Sequence, residues 1–291
     1  MSALQTVYAT LDQLRARFSV APADTSDDAR LFSKLRAASA QIDRYTARTF
    51  APVLATRLFD WRNANTILFR GEDLLLLQQL INGDGNVIDP AAIIQLGGIN
   101  GPLWGVEINV AKGAFLNYIT TKTRALSVSG IWGWHDDYAN AWKPSGDTVS
   151  VFSMTTADTT VTVNNVTGAD GWGLVPRFQV GQLISIDTEY MQITSVNSGT
   201  GTLGVIRGTN GTLITVHIIS APISVYVPPV DVTEICLRWA AWLTRLEDSG
   251  EFGQTSGQTA DASSGGIHVP MQIPPDIQAE LAPLVKLAVT V

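Results

Sequence analysis

The chain has 291 residues, 45% hydrophobic and 15% charged, with a net charge of −7 and a pI near 4.9. That composition excludes a disordered chain and a general affinity for nucleic-acid phosphates, and the length suffices for two domains of ordinary size. A single cysteine, Cys236, excludes an intrachain disulfide. It lies in an apolar helical stretch and reads as a buried small hydrophobe rather than a nucleophile. No apolar run is long enough to span a membrane, and MSALQTVYATLDQ lacks the basic start and apolar core of a signal peptide. A soluble protein made in a cytoplasm is expected.

Helix opens the chain. Thr10 precedes LDQLRARF, where Leu11, Leu14 and Phe18 fall at helical spacing. A second helix is predicted over TSDDARLFSKLRAASAQIDRYTARTF, with Thr25 or Ser26 as cap and Asp27 and Asp28 at its positive end. Leu31, Leu35, Ala38, Ile42 and Tyr45 form its apolar face. Arg36, Arg44 and Arg48 lie off that face, as a solvated basic surface or a contact with an acidic partner.

From about 50 to 135 the period changes to two. ATRLFDW, TILFR, DLLLLQQLI, VIDPAAIIQL, GVEINVA, AFLNYIT and LSVSGIWGW read as strands between turn residues. Residues 81–89, INGDGNVID, place Asn82, Asp84 and Asn86 at alternate positions, as a calcium loop begins. Such a loop needs Gly at its sixth place and Glu at its twelfth; these are Val87 and Ile93. A β-hairpin with Gly83 and Gly85 at positive φ is the better reading. His135 and Asp136 are adjacent, so on a strand they would point apart; a loop end with aromatic packing is expected rather than a metal site.

Residues 146–227 read as a separate all-β unit, rich in Thr, Val and Ser, with frequent turn signals. Two strands flank Asp187-Thr188-Glu189, and Trp172 and Phe178 are expected in the core. Asp187 and Glu189 share a face, which permits acid/base work, but an exposed turn is the commoner arrangement. His217 has no carboxylate or Cys neighbour in sequence and reads as packing or surface.

Helix returns in PPVDVTEICLRWAAWLTRLEDSG. Asp231 and Glu234 have capping-box spacing, and Val230 and Ile235 that of a hydrophobic staple. Val232, Ile235, Trp239, Trp242 and Leu246 make an apolar seam, to be buried internally or against another subunit. Residues 249–268 are Gly/Ser/Thr/Gln-rich and read as a linker. The final stretch carries Ile277, Leu281 and Leu284 at helical spacing, broken by Pro283. It either docks on another chain or folds back on its own core.

In their order, YATLDQLRARF, DDARLFSKLRAASAQIDRYTARTF, DLLLLQQLINGDGNVID, DVTEICLRWAAWLTRLEDSGEFG and IPPDIQAELAPL resemble the head–tail connector (adaptor) proteins of tailed phages. The likeness covers roughly 1–135 and 228–291. The 146–227 unit looks like a β module that recurs in phage virion proteins, and its presence departs from the minimal adaptor. The resemblance implies an α+β fold. Residues 1–145 and 228–248 would form a helical adaptor core with hairpins and strands. Residues 146–227 would be an inserted sandwich or small barrel, 249–268 a linker, and 269–291 a docking helix. It also implies a non-enzymatic virion part at the neck, without cofactor or membrane partner. The partners would be a portal protein, a stopper or tail-completion protein, and copies of itself in a dodecameric ring around passing DNA. Ile277, Leu281 and Leu284 would face the portal. Trp239 and Trp242 would lie in the helical core or at the subunit contact, and Arg36 and Arg44 on a partner-facing surface. A second reading is another neck or baseplate component whose β unit binds host glycans by stacking on Trp132, Trp134, Trp142 and Trp172. An enzyme is a third, for which the sequence offers no nucleophile elbow, phosphate loop or metal-ligand spacing.

Overall fold

The computed structural model describes residues 6–20, 24–98, 101–248 and 273–286. The predicted linker, 249–268, lies outside the described residues, as do 269–272 and 287–291 of the terminal stretch.

Among the described residues, four α-helices from the two end regions of the sequence pack together. Helix α1 (Leu11–Arg17) starts at Thr10, whose hydroxyl accepts from the Gln13 N–H while the Gln13 side chain accepts from the Thr10 N–H. Helix α2 (Asp28–Thr46) buries Leu31, Leu35, Ala38 and Ile42, as the spacing requires. Tyr45 stays 37% exposed, and Thr46 takes the buried place beyond Ile42. The N-cap is Asp27, so neither Thr25 nor Ser26 caps the helix. Helix α3 (Val230–Asp248) begins two residues earlier than the sequence suggests, because Thr233 N–H already donates to Pro229. Asp231 therefore lies inside the first turn. Val230 is exposed, so no staple forms, and Glu234 pairs with Arg17 instead. Helix α4 (Pro275–Leu281) closes the group. Val7, Tyr8, Leu14, Leu35, Ile42, Phe50, Ile235, Cys236, Trp239, Ile277 and Leu281 belong to one core. Burial pushes the Cys236 thiol up to about 11, well away from a reactive thiolate.

The strands are β1 (Val53–Phe59), β2 (Thr66–Leu68), β3 (Leu74–Ile81), β4 (Ile93–Gly97), β5 (Leu103–Ile108), β6 (Leu126–Trp132), β7 (Trp142–Thr148), β8 (Ser153–Met154), β9 (Thr160–Thr162), β10 (Leu183–Ile186), β11 (Glu189–Asn197), β12 (Thr202–Ile206), β13 (His217–Ile218) and β14 (Pro222–Tyr226). The first sheet runs β1-β6-β3-β5-β2, with β4 also on β5. The second runs β7-β14-β10-β11-β12-β9, and β13 pairs β8 in a ribbon of its own.

Among the described residues the molecule is thus mostly β: three antiparallel sheets, with helix in 27% of those residues. The expected α+β class, a helical core carrying hairpins, is overturned. The physical reason lies in 53–132. These strands do not decorate the helices; they enclose a separate core of Ile67, Phe69, Leu74, Leu80, Val106, Leu126, Val128 and Trp132. On β6, Leu126, Val128 and Trp132 alternate inward at zero or 1% exposure, with Ser127 and Ser129 between them. AFLNYIT forms no strand. Its backbone is taken by side chains: Leu116 N–H donates to Asn65 and Asn117 N–H to Asn82.

The turn at 82–86 uses its oxygens internally. Asn82 N–H donates to the Asn86 carbonyl (2.8 Å), and the Asn82 side-chain oxygen receives Gly83 and Asn117 N–H. Asp84 receives the Asn86 N–H and the Asn117 amide. Gly85 has the positive φ, +85°. Gly83 does not; it is glycine because a Cβ there would meet the Asn117 carbonyl at 2.3 Å. The strand after the turn leaves β3 after a single bridge, Ile81 to Val87, and β4 pairs β5 instead.

Candidate assembly surfaces

The residues predicted to meet partners separate into two groups. Ile277, Leu281 and Leu284 are at most 9% exposed and pack into the chain's own helical core. Trp239 is equally buried, and Trp242 packs partly exposed beside it. Arg36 and Arg44 are exposed on α2. Arg48 turns away from them: it pairs with Asp73 at 3.2 Å and its guanidinium lies 5.6 Å from the Trp134 ring centre. Arg44 rims a groove of about 480 Å³ between α2 and α3, lined also by Gln41, Tyr45, Trp239, Trp242, Leu243 and Ile273.

Of the four tryptophans considered for glycan stacking, Trp132 is fully buried, and Trp134 and Trp142 pack against core residues. Trp172 alone of the four is exposed, with the Lys143 ammonium 5.4 Å from its ring centre. It is a rim residue, not the core residue the sequence suggested, whereas Phe178 is buried as expected. His135 sits at a loop end, its ring 6.0 Å from that of Tyr226, with Nε2 3.0 Å from the Val227 carbonyl.

A surface that the sequence did not reveal lies on the β8–β13 ribbon. Ile214, Val216 and Ile218 occupy alternate positions and are all exposed, with Leu213, Ile219 and Phe152 beside them. Phe152 and Leu213 are more than three-quarters exposed. The residues between them point the other way. Thr215 N–H donates to Glu189 Oε2 at 2.9 Å, its carbonyl receives Arg207, and His217 is fully buried.

The inner side of this strip is a charged cluster. Arg207 grips Glu189 with two hydrogen bonds, Nε to Oε1 at 2.9 Å and Nη2 to Oε2 at 2.7 Å. His217 stands between carboxylates, Nδ1 2.7 Å from Asp187 and Nε2 2.9 Å from Glu189. Gly208 N–H adds a further donor to Glu189 at 3.0 Å. Burial opposes ionisation of Glu189, but Arg207, Thr215 N–H and His217 outweigh it and hold its carboxyl below the ordinary carboxylate value. Asp187 and Glu189 do converge, as their same-face spacing suggested, but on an imidazole rather than on open solvent. Glu189 and His217 have no exposed side-chain surface, so no substrate reaches them in this arrangement. The cluster acts as a pin holding residues 207–217 against the second sheet.

The missed signal was the alternation of Ile214, Val216 and Ile218 around Thr215 and His217. It reads as an ordinary half-buried strand, and the sequence does not say that its apolar side is the outer one.

No protein family, curated protein or solved structure was found to match the chain.

Proposed function

We propose that the chain is a structural subunit of a multi-copy assembly, in the position of the head–tail adaptor of a tailed phage. In that position it joins portal to stopper or tail around the DNA channel. The observation that carries the assembly reading is the strip of Phe152, Leu213, Ile214, Val216, Ile218 and Ile219. Six exposed large apolar side chains in and flanking the β8–β13 ribbon, with no Asp, Glu, Lys or Arg in 208–220, offer a surface of the kind that marks protein contacts. A ring requires such a surface on every copy. The adaptor assignment itself rests on the order of the sequence motifs. The acidic net charge suits a conduit that DNA crosses without adhering. With Ile277, Leu281 and Leu284 inside the chain's own core, a portal contact falls instead to the exposed face of α2 that carries Arg36 and Arg44.

The test is the mass of the purified chain in solution, alone and with a portal protein, for the wild type and for Ile218→Asp. The wild type is expected as a multi-copy species, and the variant as a folded monomer with unchanged melting temperature. A wild type that stays monomeric at all concentrations and ignores the portal overturns the reading.

A further inference from the structure

We propose that the groove between β1 and β2 binds an extended acidic segment of another protein as an added strand. The inference rests on the first sheet alone and is independent of the adaptor reading.

The first sheet begins with β1 and ends with β2, and these two strands do not pair with each other. Among the described residues β1 pairs only β6 and β2 only β5, so each keeps one edge whose main-chain groups have no ladder partner. The two strands approach without joining. Phe59 of β1 and Phe69, just beyond β2, lie 5.3 Å apart, ring centre to ring centre, and Arg57 pairs with Glu72. Beside these contacts a groove of about 440 Å³ stays open, with Leu58 and Phe59 of β1 and Thr66, Ile67 and Leu68 of β2 among its walls. Leu58 and Leu68 are each 44% exposed. The other end of β1 is taken: the Asn210 side chain donates to the Pro52 carbonyl at 3.0 Å, and Gly211 backs onto the Leu54 carbonyl. The open stretch of β1 is therefore around Leu58 and Phe59.

The occupant follows from the charges on the walls. Arg62 and Arg70 line the same groove, and both are exposed. Neither side chain has an ion pair or hydrogen bond among the described residues. The carboxylates of the walls are already engaged, Glu72 by Arg57 and Asp60 by the Arg124 N–H at 2.8 Å. Two uncompensated guanidiniums in a chain of net charge −7 select an anionic occupant. The strand edges and apolar walls select its form. An extended segment offers main-chain carbonyls and N–H groups to the edges, apolar side chains to Leu58 and Leu68, and carboxylates to the arginines. The same net charge disfavours a nucleic acid.

The test is binding of a defined probe to the full chain. A short fluorescein-labelled peptide alternating Glu with Val is titrated by fluorescence anisotropy, beside the same peptide with Gln or with Lys in place of Glu. The Glu peptide should bind several-fold more tightly than the Gln peptide, and more weakly as salt rises, while the Lys peptide should not bind. Arg62→Glu with Arg70→Glu, a change at two exposed residues, should keep the wild-type melting temperature and weaken binding at least about tenfold. Arg62→Gln with Arg70→Gln should weaken it to a lesser degree. Hydrogen exchange in the complex should slow at 53–59 and 66–68. No binding of the Glu peptide, equal binding of the Glu and Lys peptides, or an affinity unchanged in both double variants overturns the proposal. So does protection confined to α2, which would give the acidic segment to Arg36 and Arg44. A multi-copy wild type that falls to monomer in the double variants overturns it too, since the groove would then hold a neighbouring copy.

Discussion

The two large sheets are stabilised differently, although each is six-stranded and antiparallel. The first relies on aromatic packing. Phe59, Phe69 and Trp132 stand 5.3–6.0 Å apart, ring centre to ring centre, and the Trp132 indole donates to the Ala55 carbonyl at 2.9 Å. Its charges sit toward the outside, as in the Arg57–Glu72 pair. The second sheet keeps an aliphatic core of Val161, Ile184, Ile186, Met191, Ile193 and Leu203, and adds buried carboxylates that work as hubs. Asp147 receives Thr148, Asn164 and Asn165 N–H, and Asp170 receives Lys143, Trp172 and Leu174, besides Glu189 in its cluster. The short strands of this unit, two of them only two residues long, leave loops whose backbone donors the ladder cannot satisfy. Carboxylates at the loop bases take them up. The first sheet closes on apolar contacts, and the second adds polar anchors at the bases of its loops.

The sharpest break in this comparison comes from deleting each kind of anchor. Glu189→Ala should cost about 3–5 kcal/mol, because it strands the buried Arg207. Trp132→Ala should cost a similar ~3–5 kcal/mol through the cavity it leaves. Urea unfolding followed by far-ultraviolet circular dichroism measures both. The two sites differ in the next step. Glu189→Leu with Arg207→Met should recover part of the loss, since the stranded charge vanishes while the Gly208 and Thr215 N–H groups still lack their acceptor, whereas a second deletion beside Trp132 should deepen it. A double variant as unstable as Glu189→Ala would show that the hub is needed for its geometry.

Acid should separate the sheets more gently. Asp147, Asp170 and Glu189 are each held below their ordinary values, 3.8 for the aspartates and 4.5 for the glutamate. Burial works against that lowering, and their hydrogen-bond donors and cations exceed it. A carboxyl lowered on folding stabilises the fold above its unfolded value, and loses that contribution as pH falls through the folded one. Melting temperature should therefore hold above about pH 5 and decline below 4. Hydrogen exchange should show 146–227 opening first. Loss beginning at 53–132 would contradict the assignment of the hubs. The smallest effect is expected at the surface pair of Arg238 with Asp276 and Glu280, where Arg238→Ala should cost less than ~1 kcal/mol in the same urea titration.

Much of the local structure was legible in the sequence. The face of α2, the alternation of β6 and the turn at 82–86 follow from periodicity and turn chemistry, which act within a few residues. The hidden parts are long-range. Nothing near His217 announces a carboxylate, because Asp187 and Glu189 lie 30 and 28 residues away. Trp172 and Trp132 are both large aromatics among strand residues, and only packing decides that one is exposed and the other buried. The balance of classes was misjudged for the same reason. Helical motifs are conspicuous in sequence, while short strands contribute to a fold only once their partners are known.

The helical core has a consequence for synthesis order. Its two halves, α1–α2 and α3–α4, lie far apart in sequence, so that Ser39 meets Cys236 from 197 positions away. As the chain leaves the ribosome, α2 must wait with Leu31, Leu35 and Ile42 uncovered until both sheets have been made. Both sheets can close before that core is complete. The nascent protein is thus a β-structured body trailing an unsatisfied helix, and completing the helical core joins residues made before the sheets to residues made after them.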